Sequence, residues 1–292
     1  PPPALSPPPA PRRIDPRSPS VVYSSPMPFL PALPADLAAR GLEPGELDFV
    51  LVTGDAYVDH PSFGAALIGR LLEAEGYMVG ILARPDPDDP EAFRLLGRPR
   101  LAFLVTAGAL DSMVSSYTAN RRPRSEDDYA PGGNPRLCLR ADESLGPRRG
   151  NGPGDRARGR LNGTSGGGDR ALADRTGTGR HGDRANARPD RAVIAYSTRC
   201  REAYKGVPVV IGGLEASLRR LSHYDYWSNT LRRPILLDSK ADLLVYGMGE
   251  TQILEAAGRL AAWRALGPGA ASVSDSLRGI RGTAWRASSR PE

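Results

Sequence analysis

The sequence holds only two cysteines, Cys138 and Cys200, and no Cys-x-x-Cys. That excludes a disulfide framework and a metal site built from cysteine alone. No apolar run approaches the ~20 residues of a membrane-spanning helix, and Pro1 to Ser20 lacks the apolar stretch of a secretory signal. There are three histidines, and no Ser-His-Asp set, His-Glu-x-x-His helix or Walker loop can be assembled around them. The Gly-x-Gly-x-x-Gly fingerprint is missing as well. Acid–base hydrolysis and standard dinucleotide binding therefore find no support. A cytoplasmic location with no membrane partner is expected.

What the chain has in excess is proline, glycine and arginine, unevenly placed. Its formal net charge is +6 over 292 residues. The arginines gather where large apolar residues are scarce, so a solvated basic tract explains the charge and a nucleic-acid partner is not expected from it. Residues 1–34 are too rich in proline for a helix or central strand and read as a disordered leader. Residues 134–187, with runs such as GPRRGNGPGDRARGR, cannot bury enough surface to offset chain entropy and read as a disordered insertion.

Between these tracts the pattern alternates. DFVLVTG, YMVGIL and LAFLVTAG are short apolar runs closed by turn residues, as buried strands are. From Ser62 the pattern is helical, with Phe63, Leu67 and Leu71 four apart and Gly76 after the last turn. EAFRLLG and LDSMVSSY continue the alternation. After the insertion, Asp190 is placed to cap a helix that carries Tyr196, Cys200 and Tyr204 on one face. VPVVIGG is a fourth strand and LEASLRRL a helix. ILLD and DLLVYG read as two further strands, and ETQILEAAGRLAAWRAL is a closing helix. This order predicts an α/β fold: a doubly wound, mostly parallel sheet. The expected division is 35–133 and 188–266 as two parts of one domain, with 267–292 as a connection onward.

Ligands of such sheets bind beyond the carboxyl ends of the strands. Four clusters fall there. Gly54, Asp55, Tyr57, Asp59 and His60 follow the first strand and could ligate, cap or contact a cofactor. Gly212, Gly213 and Glu215 follow the fourth, where paired glycines permit close approach or a sharp turn. His223, Tyr224, Asp225, Tyr226 and Trp227 could wall a flat ligand or form a buried aromatic cluster. Gly247, Gly249 and Glu250 open the last helix, where a ligand or the helix dipole itself could be served. Asp238 and Lys240 could add a carboxylate–ammonium pair nearby.

The strings LVTGDAYVDHPSFGAALIGRLLEAEGYMVGILARPD, VTAGALDSMVSSYTANRRPRSEDDYAPGG, the long run from Arg188 to Glu250 and LRGIRGTAW closely resemble the YgiQ family of radical S-adenosylmethionine proteins. The resemblance covers roughly residues 45–133, 188–265 and 277–285. It implies a front domain similar to the Rossmann-like cobalamin-binding domains of other radical enzymes. It also implies a rear barrel binding S-adenosylmethionine and a [4Fe-4S] cluster through Cys-x-x-x-Cys-x-x-Cys. That motif is absent here, so this chain is expected to bind no cluster, and the barrel is expected as its missing carboxyl-terminal partner. Cobalamin is not expected, because the corrinoid pattern Asp-x-His-x-x-Gly is only loosely echoed by Asp59, His60 and Gly64. The function expected is that of an amino-terminal domain covering the substrate side of a catalytic barrel. The alternatives are a free-standing corrinoid or nucleotide module and an RNA-associated protein acting through the basic insertion. The substrate cannot be read from the residues.

Overall fold

The computed structural model of the chain describes residues 29–58, 60–147, 186–267 and 272–286. Its elements run in the order α1 (Pro34–Ala39), β1 (Phe49–Thr53), α2 (Gly64–Ala74), β2 (Val79–Ala83), a 3-10 turn (Pro90–Arg94), β3 (Ala102–Thr106) and α3 (Ser112–Ser116). A hairpin of β4 (Leu137–Leu139) and β5 (Leu145–Pro147) follows, and then α4 (Ala192–Ala203), β6 (Val209–Gly212) and α5 (Gly213–Leu218). The chain continues through a second hairpin, β7 (His223–Asp225) and β8 (Thr230–Arg232), into α6 (Ile235–Asp238) and β9 (Leu243–Val245). It ends with α7 (Glu250–Ala265), α8 (Val273–Ser276) and β10 (Thr283–Trp285).

Six strands form one sheet in the order β10-β9-β6-β3-β1-β2. Every pairing in it is parallel except β9 with β10. The five parallel strands thus take the 2-1-3-4-5 order of doubly wound sheets, whose direction of winding reverses between the first and third strands. The expected α/β fold is the fold observed.

The alternation of side chains along each strand divides the core in two. Val50, Val52, Phe103, Val105, Val209 and Ile211 face one side and pack on Tyr196 and Cys200 of α4 and Phe93 of the 3-10 turn. Phe49, Leu51, Ile81, Leu104, Val210 and Val245 face the other, against Leu72 of α2 and Ile253, Ala257 and Leu260 of α7. Ile253 and Leu260 are buried, and a side chain of that size contributes about 1.5–3 kcal/mol when removed from water. With both faces covered, β1 is buried at every residue, which is why these strands read as unbroken apolar runs.

Several expectations need correction. ILLD is a helical turn, α6, not a strand. It starts after Pro234 and buries Ile235 and Leu236, and four apolar residues carry no period that separates the two. Asp190 does not cap α4. Arg191 stands at that position with φ of 51°, and Asp190 accepts a hydrogen bond from the Tyr117 hydroxyl at 2.8 Å.

The insertion expected from residue 134 has a structured start. The β4–β5 hairpin seals Cys138 and bridges to Pro85 through Leu139; residues 148–185 lie outside the described residues. The leader likewise ends earlier than expected. Residues 1–28 lie outside the described residues, but Leu30 is buried and the Pro31 carbonyl accepts from the edge-strand amide of Ile81 at 2.8 Å. Residues 272–286 are not a bare connection either: β10 closes the sheet beside β9.

Candidate functional site

Because β1, β3, β6 and β9 run in parallel, the segments that follow them meet at one edge. A cleft of about 370 Å³ opens there. Its floor is made by the strand ends, among them Thr53, Thr106 and Val245. Its walls are the first turns of α2 and α7, which lie side by side on one face of the sheet. Gly212 and Gly213 of the fourth-strand cluster line it, as do Gly247, Gly249 and Glu250 of the last. Gly108 and Ala109, beyond β3, complete it.

The rim of this cleft is apolar and open. The helical stripe predicted for α2 is only partly used by the core: Leu72 is buried, but Phe63 is 74% exposed and Leu67 51%. Met248, across the cleft, is 83% exposed, and Leu214 adds a fourth exposed apolar side chain. Among the described lining residues, Glu250 alone is ionisable. It is half-buried at the start of α7.

The first-strand cluster lies under the cleft instead of lining it. Asp55 is buried and accepts from the Ala109 amide at 2.6 Å and from Arg188 at 2.8 Å. Burial pushes its carboxyl above the usual range, and the Arg188 guanidinium pulls it back. Arg188 also reaches Asp127 at 3.1 Å and the Gly54 carbonyl at 3.1 Å. Arg84, held at φ of 50°, spans from Asp127 at 3.0 Å to the carbonyls of Gly54, Leu137 and Pro135, each at 3.0 Å. Two buried arginines thus face two buried aspartates, so the buried charges are paired, while Nη1 of Arg188 is buried without a hydrogen-bond partner. Its partners come from four distant segments. It ties the β4–β5 hairpin and the segment entering α4 to the end of β1. Tyr57 accepts from the Leu30 amide at 2.8 Å and sets its ring edge-on to Phe29. His60 accepts from the Ser62 amide through Nδ1 at 2.9 Å. Asp59 lies outside the described residues.

Glu215 is fully buried and does not line the cleft. Its two carboxylate oxygens accept from the amides of Ser112 at 2.8 Å and Val193 at 3.1 Å, at the starts of α3 and α4. One side chain thereby satisfies donors that two helices leave open. Burial pushes its carboxyl up, the neighbouring Asp111 adds to the push, and the Ser112 hydrogen bond and Arg219 oppose it.

The aromatic cluster forms the β7–β8 hairpin and packs against the segment after α3. Trp227 lies 5.1 Å from Tyr117, and Arg121 stacks over Tyr226 at 4.5 Å. Asp225 is buried and pairs with Arg191 at 2.6 Å. Burial raises its carboxyl, but hydrogen bonds from Ser228 and Arg191 outweigh that and hold it below the usual range. His223 turns its Nδ1 to the Leu221 carbonyl, and Tyr224 donates to Asn229 at 2.6 Å. None of the five lines the cleft. Asp238 pairs with Arg232 at 3.1 Å and Arg233 at 2.8 Å, in place of the pair expected with Lys240. Lys240 is exposed, at φ of 54°, just before β9 and so at the opposite end of the sheet.

Sequence reasoning missed Arg84, Asp127 and Arg188, and the β3 segment at Gly108. The signal was present: these charges lie in the strings LARPD, SEDDYAPGG and RPDR, but nothing in one sequence says which carboxylate meets which guanidinium.

A [4Fe-4S] cluster needs three or four cysteine thiolates, and the residues of this chain do not fit one. Cys138 sits in β4 and Cys200 in α4, both buried. Burial pushes the Cys200 thiol well above its ordinary value, against thiolate formation. Among the described residues no group of three His, Cys, Asp or Glu side chains could hold a metal ion. No helix among them is long and apolar enough to cross a membrane.

A family model described as "Radical SAM N-terminal" matches residues 29–145 and 175–292. The chain is similar to the UPF0313 protein of Chromobacterium violaceum, at 43% identity over 88% of this chain and 26% of that one. The UPF0313 protein of Shewanella oneidensis is 44% identical over 88% of this chain and 25% of its own length. That of Bradyrhizobium diazoefficiens is 47% identical over 82% and 28%. The chain therefore spans about a quarter of the length of these relatives. No solved structure matches it.

Proposed function

Because the chain belongs to the radical SAM N-terminal family, as the amino-terminal part of YgiQ-type UPF0313 proteins, we propose that it covers the substrate side of a radical S-adenosylmethionine catalytic barrel. The barrel lies in the part of such proteins that this chain does not span. The cluster and S-adenosylmethionine belong to that barrel and supply the radical. This chain supplies a wall.

One observation carries the reading. Exposed apolar side chains, Phe63, Leu67, Leu214 and Met248, ring a cleft at the edge where the parallel strands end. Apolar groups gathered at a cleft are what a ligand or partner surface removes from water. The charged networks beneath it hold the rim segments in place without drawing charge into the cleft. Two buried cysteines with no disulfide between them suit a reducing compartment, in line with a cytoplasmic protein.

The corrinoid and nucleotide alternative gains nothing from a cleft whose described lining has one carboxylate and no cation. RNA association would rest on the basic insertion 134–187, of which residues 148–185 lie outside the described residues.

The test joins this chain to the part of the Chromobacterium violaceum relative beyond the matched region. The fusion is reconstituted anaerobically with iron and sulfide, and 5′-deoxyadenosine release is measured. Release by the fusion, reduced when Phe63→Glu and Met248→Glu are introduced together, supports the reading. Unchanged release from that double variant contradicts it.

A further inference from the structure

The cleft carries a single carboxylate, Glu250, among its described lining residues. We propose that it takes a small apolar molecule bearing a protonated amine, held with the amine at Glu250 and the apolar body between α2 and α7. This rests on reading the cleft as the substrate side, and it names the chemical class.

The volume, about 370 Å³, falls within the roughly 300–1,000 Å³ of small-molecule sites. Apart from Glu250, the described lining is apolar side chains, glycines and hydroxyls, with Phe63, Leu67, Ile68, Leu214, Met248 and Ile253 offering the apolar surface. Among the described residues the Glu250 carboxylate meets no hydrogen-bond donor and no cation. Its carboxylate is therefore the ionisable group that the described lining leaves without a partner.

A carboxylate in the first turn of a helix is favoured by the dipole without any ligand. That accounts for its stability there, not for its standing as the lone ionisable group among the described residues of a mostly apolar lining. A phosphate or carboxylate ligand would enter beside Glu250 with no described Lys, Arg or His lining residue to receive it. An ammonium would form a charge-assisted hydrogen bond in a partly desolvated place, where such bonds are strong.

The full 292-residue chain is titrated calorimetrically with three probes sharing one body: 4-phenylbutylamine, 4-phenylbutanol and 4-phenylbutanoate. The amine is expected to bind about tenfold more tightly than the alcohol, with the carboxylate weakest. Glu250→Gln should bring the amine down to the alcohol and leave the alcohol unchanged. Gly64→Leu should abolish binding of all three. Gly64 lines the cleft, a Cβ there meets nothing within 4 Å, and its backbone is not in the left-handed region, so that variant should fold. Equal or tighter binding of the carboxylate, no binding of the amine, or amine binding untouched by Gly64→Leu overturns the proposal. Each readout needs only this chain. A failure here leaves the fusion assay standing, and a failure there leaves these titrations interpretable.

Discussion

Arg188 and Asp55 meet at 2.8 Å across 133 positions of sequence, both shut off from solvent. Through Asp127 the same guanidinium is joined to Arg84. The edge that carries the cleft is thus braced from below by a four-residue charge cluster. Replacing Asp127 with Asn should cost about 3–5 kcal/mol, because it leaves two buried cations facing one anion. Glu91→Ala, which removes the exposed pair with Arg94, should cost less than about 1 kcal/mol. Urea unfolding of both variants checks the contrast.

Gly108 carries the strand-end turn at φ of 111°, and a Cβ there would stand 2.1 Å from the Asp55 carboxylate. Both the backbone conformation and the contact forbid a side chain. Gly108→Ala should destabilise by about 1–3 kcal/mol. It should also open the floor of the cleft, seen as faster amide exchange at Asp55 and Ala109.

Glu215 makes stability depend on pH with a definite sign. Burial, then Asp111, holds its carboxyl above the usual glutamate range. Between the unfolded and folded values the native chain keeps a proton that the unfolded chain has released. Its contribution is therefore full below about pH 4.5 and is lost as pH rises through the folded value. The stability of the wild type relative to Glu215→Gln should fall as pH rises from about 4.5. A difference that stays level or grows would show that the carboxyl is not raised.

Phe63 and Met248 contribute little to the fold, since both project into solvent. Phe63→Glu and Met248→Glu should each move the stability of the chain alone by no more than about 0.5 kcal/mol. The same changes in the fusion should weaken docking, read as separate unfolding of the two parts in calorimetry.

Much of the fold was legible in the sequence, for physical reasons. β1, β3 and β6 are buried on both faces, so they read as continuous apolar runs, and Gly76 closed its helix at positive φ as expected. The short elements were not legible. ILLD carries no period, and β10 is a three-residue edge strand whose place depends on β9. The cleft was legible in part. Gly212, Gly213, Gly247, Gly249 and Glu250 line it, whereas Asp55, Glu215 and Asp225 turn inward to hold segments far apart in sequence. A polar residue beyond a strand looks the same in sequence whether it faces a ligand or a helix start.

The claim that the carboxyl edge of the sheet faces the catalytic part is tested most directly by hydrogen–deuterium exchange, comparing this chain alone with the same chain in the fusion. The account predicts new protection at residues 61–67, 212–214 and 247–250, with the β2 edge and the outer face of α4 unchanged. Protection confined to those other surfaces, or none at the cleft rim, would contradict it.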